Sequence, residues 1–150
     1  MKAVNDLDKE VNHKKLFKFH KQTVQWLNEL EFIQDEQIFL EHLLSTHFLD
    51  LSKPKLYEPT RKLIKKLTDV EIAGDELLDS IQIYNKHIAT MIESLQHRDK
   101  KKLKQEHNRI ENDFDIYILN FKYVKKKIFS MIKEIMKKDK QKLLINVNNG

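Results

Sequence analysis

No cysteine occurs among the 150 residues, and glycine and proline occur only twice each. The first absence excludes disulfides, thiolate metal ligands and a cysteine nucleophile, and it agrees with a reducing compartment such as the cytoplasm. The second removes the turn chemistry that a β-sandwich or an α/β fold would need. Two glycines also cannot build a loop that cradles phosphate. No apolar run approaches the ~20 residues of a membrane span. The opening, MKAVNDLDKEVNHKK, has no apolar core of the kind a secretory signal carries. These restrictions point to a soluble, cytoplasmic chain of few long helices joined by few loops.

What is present fits that expectation. Leu103, His107, Ile110, Phe114, Tyr117, Phe121, Val124, Ile128, Met131 and Ile135 alternate steps of four and three, and only His107 interrupts the apolar series. This is the a/d seam of helices packed at a shallow angle. Leu63, Leu67, Val70, Gly74, Leu77, Ile81, Tyr84, Ile88, Met91 and Leu95 repeat it, with Gly74 as the exception. A glycine inside a helix costs about 1 kcal/mol against alanine, so Gly74 marks a close helix approach or a kink. A third, wider stripe runs through Leu16, Phe19, Thr23, Trp26, Leu30, Ile33, Gln37, Leu40, Leu44 and His47. Both prolines fall in DLSKPKLYEP, residues 50–59, where Pro59 suits the first turn of a helix. QHRDKKK, residues 96–102, is a second break with Asp99 as an N-cap.

The predicted fold is all-α: an elongated antiparallel three-helix coiled-coil-like bundle. It forms one domain over 1–150, with helices at about 13–50, 56–97 and 100–142 and frayed ends. A break in the middle helix near Gly74 would make a four-helix variant, but the heptad register crosses Gly74 without a slip. Folding the chain at the two breaks brings Asp35 level with about residue 73 and about residue 124. At that height Glu29, Glu31, Asp35 and Glu36 of the first helix, and Asp69, Glu71, Asp75 and Glu76 of the second, face Lys122, Lys125, Lys126 and Lys127. Toward the other end the signs invert, with Glu106 and Glu111 level with Lys18, Lys21, Lys86 and His87. Flanking charges of this kind choose register more than they add stability.

Two candidate sites follow from the same arithmetic. His20, His87, His107 and Glu111 come level, and imidazoles with a carboxylate suit iron or zinc inside a bundle. His107-x-x-x-Glu111 resembles one fragment of the hemerythrin pattern. The chain has no His-x-x-x-His pair, however, and lacks the paired Glu-x-x-His turns of di-iron bundles. Only His107 takes a core position, where hydrogen bonds to Glu111 or Tyr84 would make it a structural residue. The second candidate is a basic end, Lys53, Lys55, Arg61, Lys62, Lys65 and Lys66 near the first loop with Lys133, Lys137, Lys138, Lys140 and Lys142 beside them, in which Arg61, Lys62, Lys65, Lys66, Lys133, Lys137 and Lys138 are the anion site. Nine lysines lie between Lys122 and Lys142, yet no arginine-rich reading helix or aromatic platform accompanies them, so nucleic-acid binding would be weak.

HKQTVQWLNELEFIQDEQIFLEHLL, residues 20–44, resembles the first helix of a family of small, uncharacterised, all-helical bacterial proteins. The resemblance rests on Trp26, Leu27, Glu29, Leu30, Phe32, Asp35 and Glu36, covers about one sixth of the chain and implies no activity. No strand-turn-helix elbow is present to activate a serine, so no catalytic residue is assigned. The expected function is non-enzymatic: protein–protein contact or homo-oligomerisation without a cofactor. The alternatives are a metal-binding bundle holding iron or zinc, and weak anion or nucleic-acid binding at the basic end. Phe32, Phe39, Leu43, Leu119, Phe129 and Ile132 lie outside the seams and extend the core or form a partner surface.

Overall fold

From Lys2 to Thr46 and from Lys100 to Asn149 the chain contains neither glycine nor proline, and each stretch is one uninterrupted helix. In chain order the elements are α1 (Lys2–Thr46), α2 (Phe48–Leu51), α3 (Pro54–Ser94) and α4 (Lys100–Asn149). The computed structural model describes residues 2–94 and 100–149, with side-chain surroundings over 13–93 and 100–147. Among the described residues the protein is all-α, without strands. Asp99 lies outside them. The helices run past the expected bounds: α1 begins at Lys2 and α4 continues to Asn149. The apolar seams themselves span only Leu16 to Ile135. A helix, once nucleated, adds one hydrogen bond per further residue without needing an apolar face.

The middle helix does not break. α3 passes through Gly74 unbroken, and the additional helix is the four-residue α2 in the first connection. There Leu51 donates its N–H to the His47 carbonyl at 3.0 Å and Ser52 donates to that of Phe48 at 2.9 Å. The buried Leu51 side chain anchors the turn. The Lys53 carbonyl then accepts from the N–H groups of Leu56 and Tyr57, both at 2.9 Å, and α3 starts. Pro54, not Pro59, takes the first helical position, where a missing N–H costs nothing. Pro59 stands inside the helix, in its second turn.

The chain gathers into two compact units, Met1–Ile33 with Ala73–Tyr117, and Gln34–Ile72 with Ile118–Gly150. In the first unit the core holds Leu16, Thr23, Trp26, Leu30 and Ile33 of α1, Leu77, Ile81, Tyr84 and Ile88 of α3, and Leu103, His107, Ile110, Phe114 and Tyr117 of α4. Trp26 faces Phe114 across α1 and α4, with ring centroids 6.1 Å apart. Gly74 is buried beneath Tyr117; a Cβ there would lie 2.8 Å from the phenol oxygen and 3.2 Å from two ring carbons. The close approach, not a kink, accounts for that glycine.

In the second unit Gln37, Leu40, Leu44, Thr60, Leu63, Leu67, Val70, Phe121, Val124, Ile128, Ile132 and Ile135 are buried. One seam position shifts: Ile132 is buried where Met131 was expected, and Met131 is half-buried. The charge reading has a direct counterpart in the Lys125 ammonium, which donates to the Glu36 carboxylate at 2.7 Å. Among the described residues of α4 Ile135 is the last buried one, and every side chain from Met136 to Val147 is exposed.

Candidate functional site

Among the described residues of the first unit His107 is the only buried histidine, and it sits among aromatic rings. Phe19 stacks on it at 4.3 Å, with Trp26 at 5.0 Å and Tyr84 at 5.5 Å between centroids. Its a-type position on α4 turns it inward, and both ring nitrogens are engaged there. Nε2 lies 2.9 Å from the Gln22 side-chain oxygen, and Nδ1 lies 2.6 Å from the Tyr84 hydroxyl. The amide oxygen can only accept, so Nε2 carries the proton and Nδ1 accepts from Tyr84. Glu111, one turn along α4, approaches Nε2 at 3.8 Å.

The electrostatics favour a neutral pair. Burial lowers the pKa of His107 from its ordinary 6.5, and the Glu111 carboxylate opposes that only in part. Burial, with the Glu106 carboxylate as a lesser cause, pushes the Tyr84 phenol well above its ordinary range. The arrangement is a satisfied polar layer: each partner comes from a different helix, and a shift of one turn on any of them would leave buried polar atoms unpaired. The sequence pointed to Tyr84 and Glu111 as partners of His107 but missed Gln22, which occupies a flanking position with no distinguishing signal.

The alternative metal set, His20, His87, His107 and Glu111, is not gathered at one point among the described residues. His20 is exposed and bonds to Asn85 at 2.9 Å, and the same Asn85 oxygen accepts from Thr23 at 3.2 Å. His87 is exposed and meets the Glu106 carboxylate at 3.0 Å. Among the described residues no three His, Cys, Asp or Glu side chains form a group that could hold a metal ion. His20 and His87 project from the flanks of their helices, while His107 projects into the core, so a common height does not give a common point.

The second unit carries the basic residues. Arg61 is paired with Glu58 on its own helix at 3.1 Å, and Lys66 stands over the Tyr123 ring at 4.8 Å. Lys62, Lys65, Lys133 and Lys137 are exposed. Lys53, Lys55, Lys138 and Lys142 of the basic end, with Lys127, line a groove of about 820 Å³ between the α2–α3 turn and α4.

Apolar side chains are also left outside the core. Phe32, Phe39, Leu119 and Phe129 are exposed, Leu43 is half-buried, and only Ile132 of the surplus apolar residues joins the core. Within the second unit Phe39, 51% exposed, and Phe129, 39% exposed, lie against each other at 6.4 Å between centroids.

No protein-family model matches the chain, and no curated protein or solved structure matches it.

Proposed function

We propose that the protein is a non-enzymatic, antiparallel three-helix coiled-coil-like bundle that works by protein–protein contact, with a second copy of the chain as the partner. The 4–3 burial of all three long helices supports the bundle reading. So does the run of numbers across α1 and α4 in the first unit, where Phe19 meets His107 and Trp26 meets Phe114.

The observation that carries the contact reading is the exposed Phe39–Phe129 pair of the second unit. Met136 and Leu143 continue its line on α4 at steps of seven, and both are exposed. Covering the exposed halves of both rings on each of two chains contributes on the order of 4 kcal/mol. Association itself costs roughly 4–15 kcal/mol, so the contact must run on from the rings along Met136 and Leu143. A heptad-spaced exposed stripe suits a helical partner lying at a shallow angle.

Mass in solution tests this. At 100 µM the wild-type chain is expected to be a dimer or larger, and to remain so in 1 M salt. A Phe39→Ser, Phe129→Ser chain is expected to be a folded monomer. A monomeric wild-type chain, or a double variant of unchanged mass, overturns the reading.

A further inference from the structure

The groove at the α2–α3 turn brings an apolar floor and a cationic rim together. Leu56, Met131 and Ile135 form the floor. Ile135 belongs to the core and is fixed, whereas Leu56 and Met131 are half-buried and present free apolar surface. Lysines stand around them. Lys53 is held by Asp50 at 3.0 Å. Lys127 stands over the Tyr123 ring at 5.7 Å. Lys55, Lys138 and Lys142 remain against two carboxylates, Glu134 and Asp139, so positive charge prevails at the rim. Their ammonium groups sit on flexible stems that can reach over the groove while the stems extend the apolar wall.

Size decides what can occupy it. About 820 Å³ falls in the range of small-molecule sites, roughly 300–1,000 Å³. A protein interface needs about 1,000 Å² of buried surface or more, which a groove of this size does not supply by itself. The head group follows from the rim. No arginine lines it, so no planar fork selects a phosphate; lysines offer point charges that pair equally well with a carboxylate. We propose that this groove is a binding site for a monomeric, carboxylate-headed acyl chain, with the chain against Leu56, Met131 and Ile135 and the carboxylate among Lys55, Lys138 and Lys142. The site is separate from the Phe39–Phe129 face and does not depend on self-association.

The test uses the full-length protein and dodecanoate below its micelle concentration, followed by calorimetry and by the methyl resonances of the methionines. Met131 lines the groove; Met136 does not, and serves as the internal reference. One equivalent of dodecanoate is expected to bind and to shift Met131 with Met136 unmoved. Butyrate, with the same head and little chain, should bind at least tenfold more weakly. Dodecyltrimethylammonium, with the same chain and the opposite charge, should do the same. Lys138→Met, Lys142→Met should weaken dodecanoate about tenfold while leaving the helical circular dichroism unchanged. Leu56→Trp, which fills the floor from an accessible position, should weaken it as well. Equal binding of the cationic amphiphile would overturn the proposal by showing adsorption to apolar surface. A shift of Met136 in place of Met131, or binding only to anionic vesicles and not to the monomer, would overturn it too.

Discussion

Replacing Gly74 by alanine sets two opposed energies against each other, and the structure decides between them. In an isolated helix the change should stabilise by about 1 kcal/mol, because alanine loses less backbone entropy. Here the new Cβ would meet the Tyr117 oxygen at 2.8 Å and two ring carbons at 3.2 Å. Tyr117 is 3% exposed, so its ring cannot swing away into solvent. Overpacking of a fixed core group costs about 1–3 kcal/mol. The expected net effect of Gly74→Ala is thus a loss of about 1 kcal/mol, or about 2–4 °C in Tm for a chain of this length. Tyr117→Phe removes the nearest atom, and in that background Gly74→Ala should be neutral or stabilising. The four chains of this double-mutant cycle, unfolded in urea and followed by circular dichroism at constant m, should give a coupling of about 1 kcal/mol. If Gly74→Ala stabilises by the full helix-propensity difference in both backgrounds, there is no close approach at Gly74, and the packing of α3 on α4 in the first unit is wrong.

Two further predictions concern His107. His107→Ala leaves a cavity among Phe19, Trp26 and Tyr84 and strips a partner from Tyr84 and Gln22, so a loss of about 2–4 kcal/mol is expected in urea unfolding; a loss below about 1 kcal/mol would contradict the buried layer. Because the folded chain holds His107 below its unfolded value of 6.5, the unfolded chain binds more protons as the pH falls through that value. Stability is therefore full above about pH 7 and declines below 6.5 toward the lowered folded pKa, by at most about 1.4 kcal/mol per pH unit. This decline should be missing from a His107→Gln chain measured over pH 7.5–5.5; an identical slope in both chains would assign it elsewhere.

Much of the architecture was readable from one string of letters, and particular residues show why. The positions of the three seams reappear as buried residues at nearly every step, including the anomalous Thr23, Gln37, Gly74 and His107. Periodicity survives such exceptions because burial is set by the position on the helix and not by the letter occupying it. The pairing of Glu36 with Lys125 was likewise implied by counting residues from the breaks. Counting failed where azimuth mattered. His20, His87 and His107 share a height, yet two of them bond at the surface to Asn85 and Glu106 while one enters the core. A linear register fixes distance along a helix to about one turn; convergence on a metal needs agreement within fractions of an ångström. Of the basic end, Lys53, Lys55, Lys138 and Lys142 line the groove at the α2–α3 turn, and a run of lysines carries no record of which ones do so.

By itself, then, the sequence determined an all-α chain, the faces its long helices bury, the connection at the two prolines and the place where a glycine was required. Those outcomes depend on local periodicity and on backbone chemistry, which neighbouring letters contain in full. Only tertiary structure decided that Ile132 displaces Met131 in the core, that Gln22 completes the His107 layer, that Phe39 and Phe129 stay outside together, and that Lys138 and Lys142 overhang a groove at the α2–α3 turn. Each of these rests on where a side chain from a distant part of the chain arrives, to within an ångström or two. Packing density and hydrogen-bond geometry are sensitive on that scale, and hydrophobic periodicity is not.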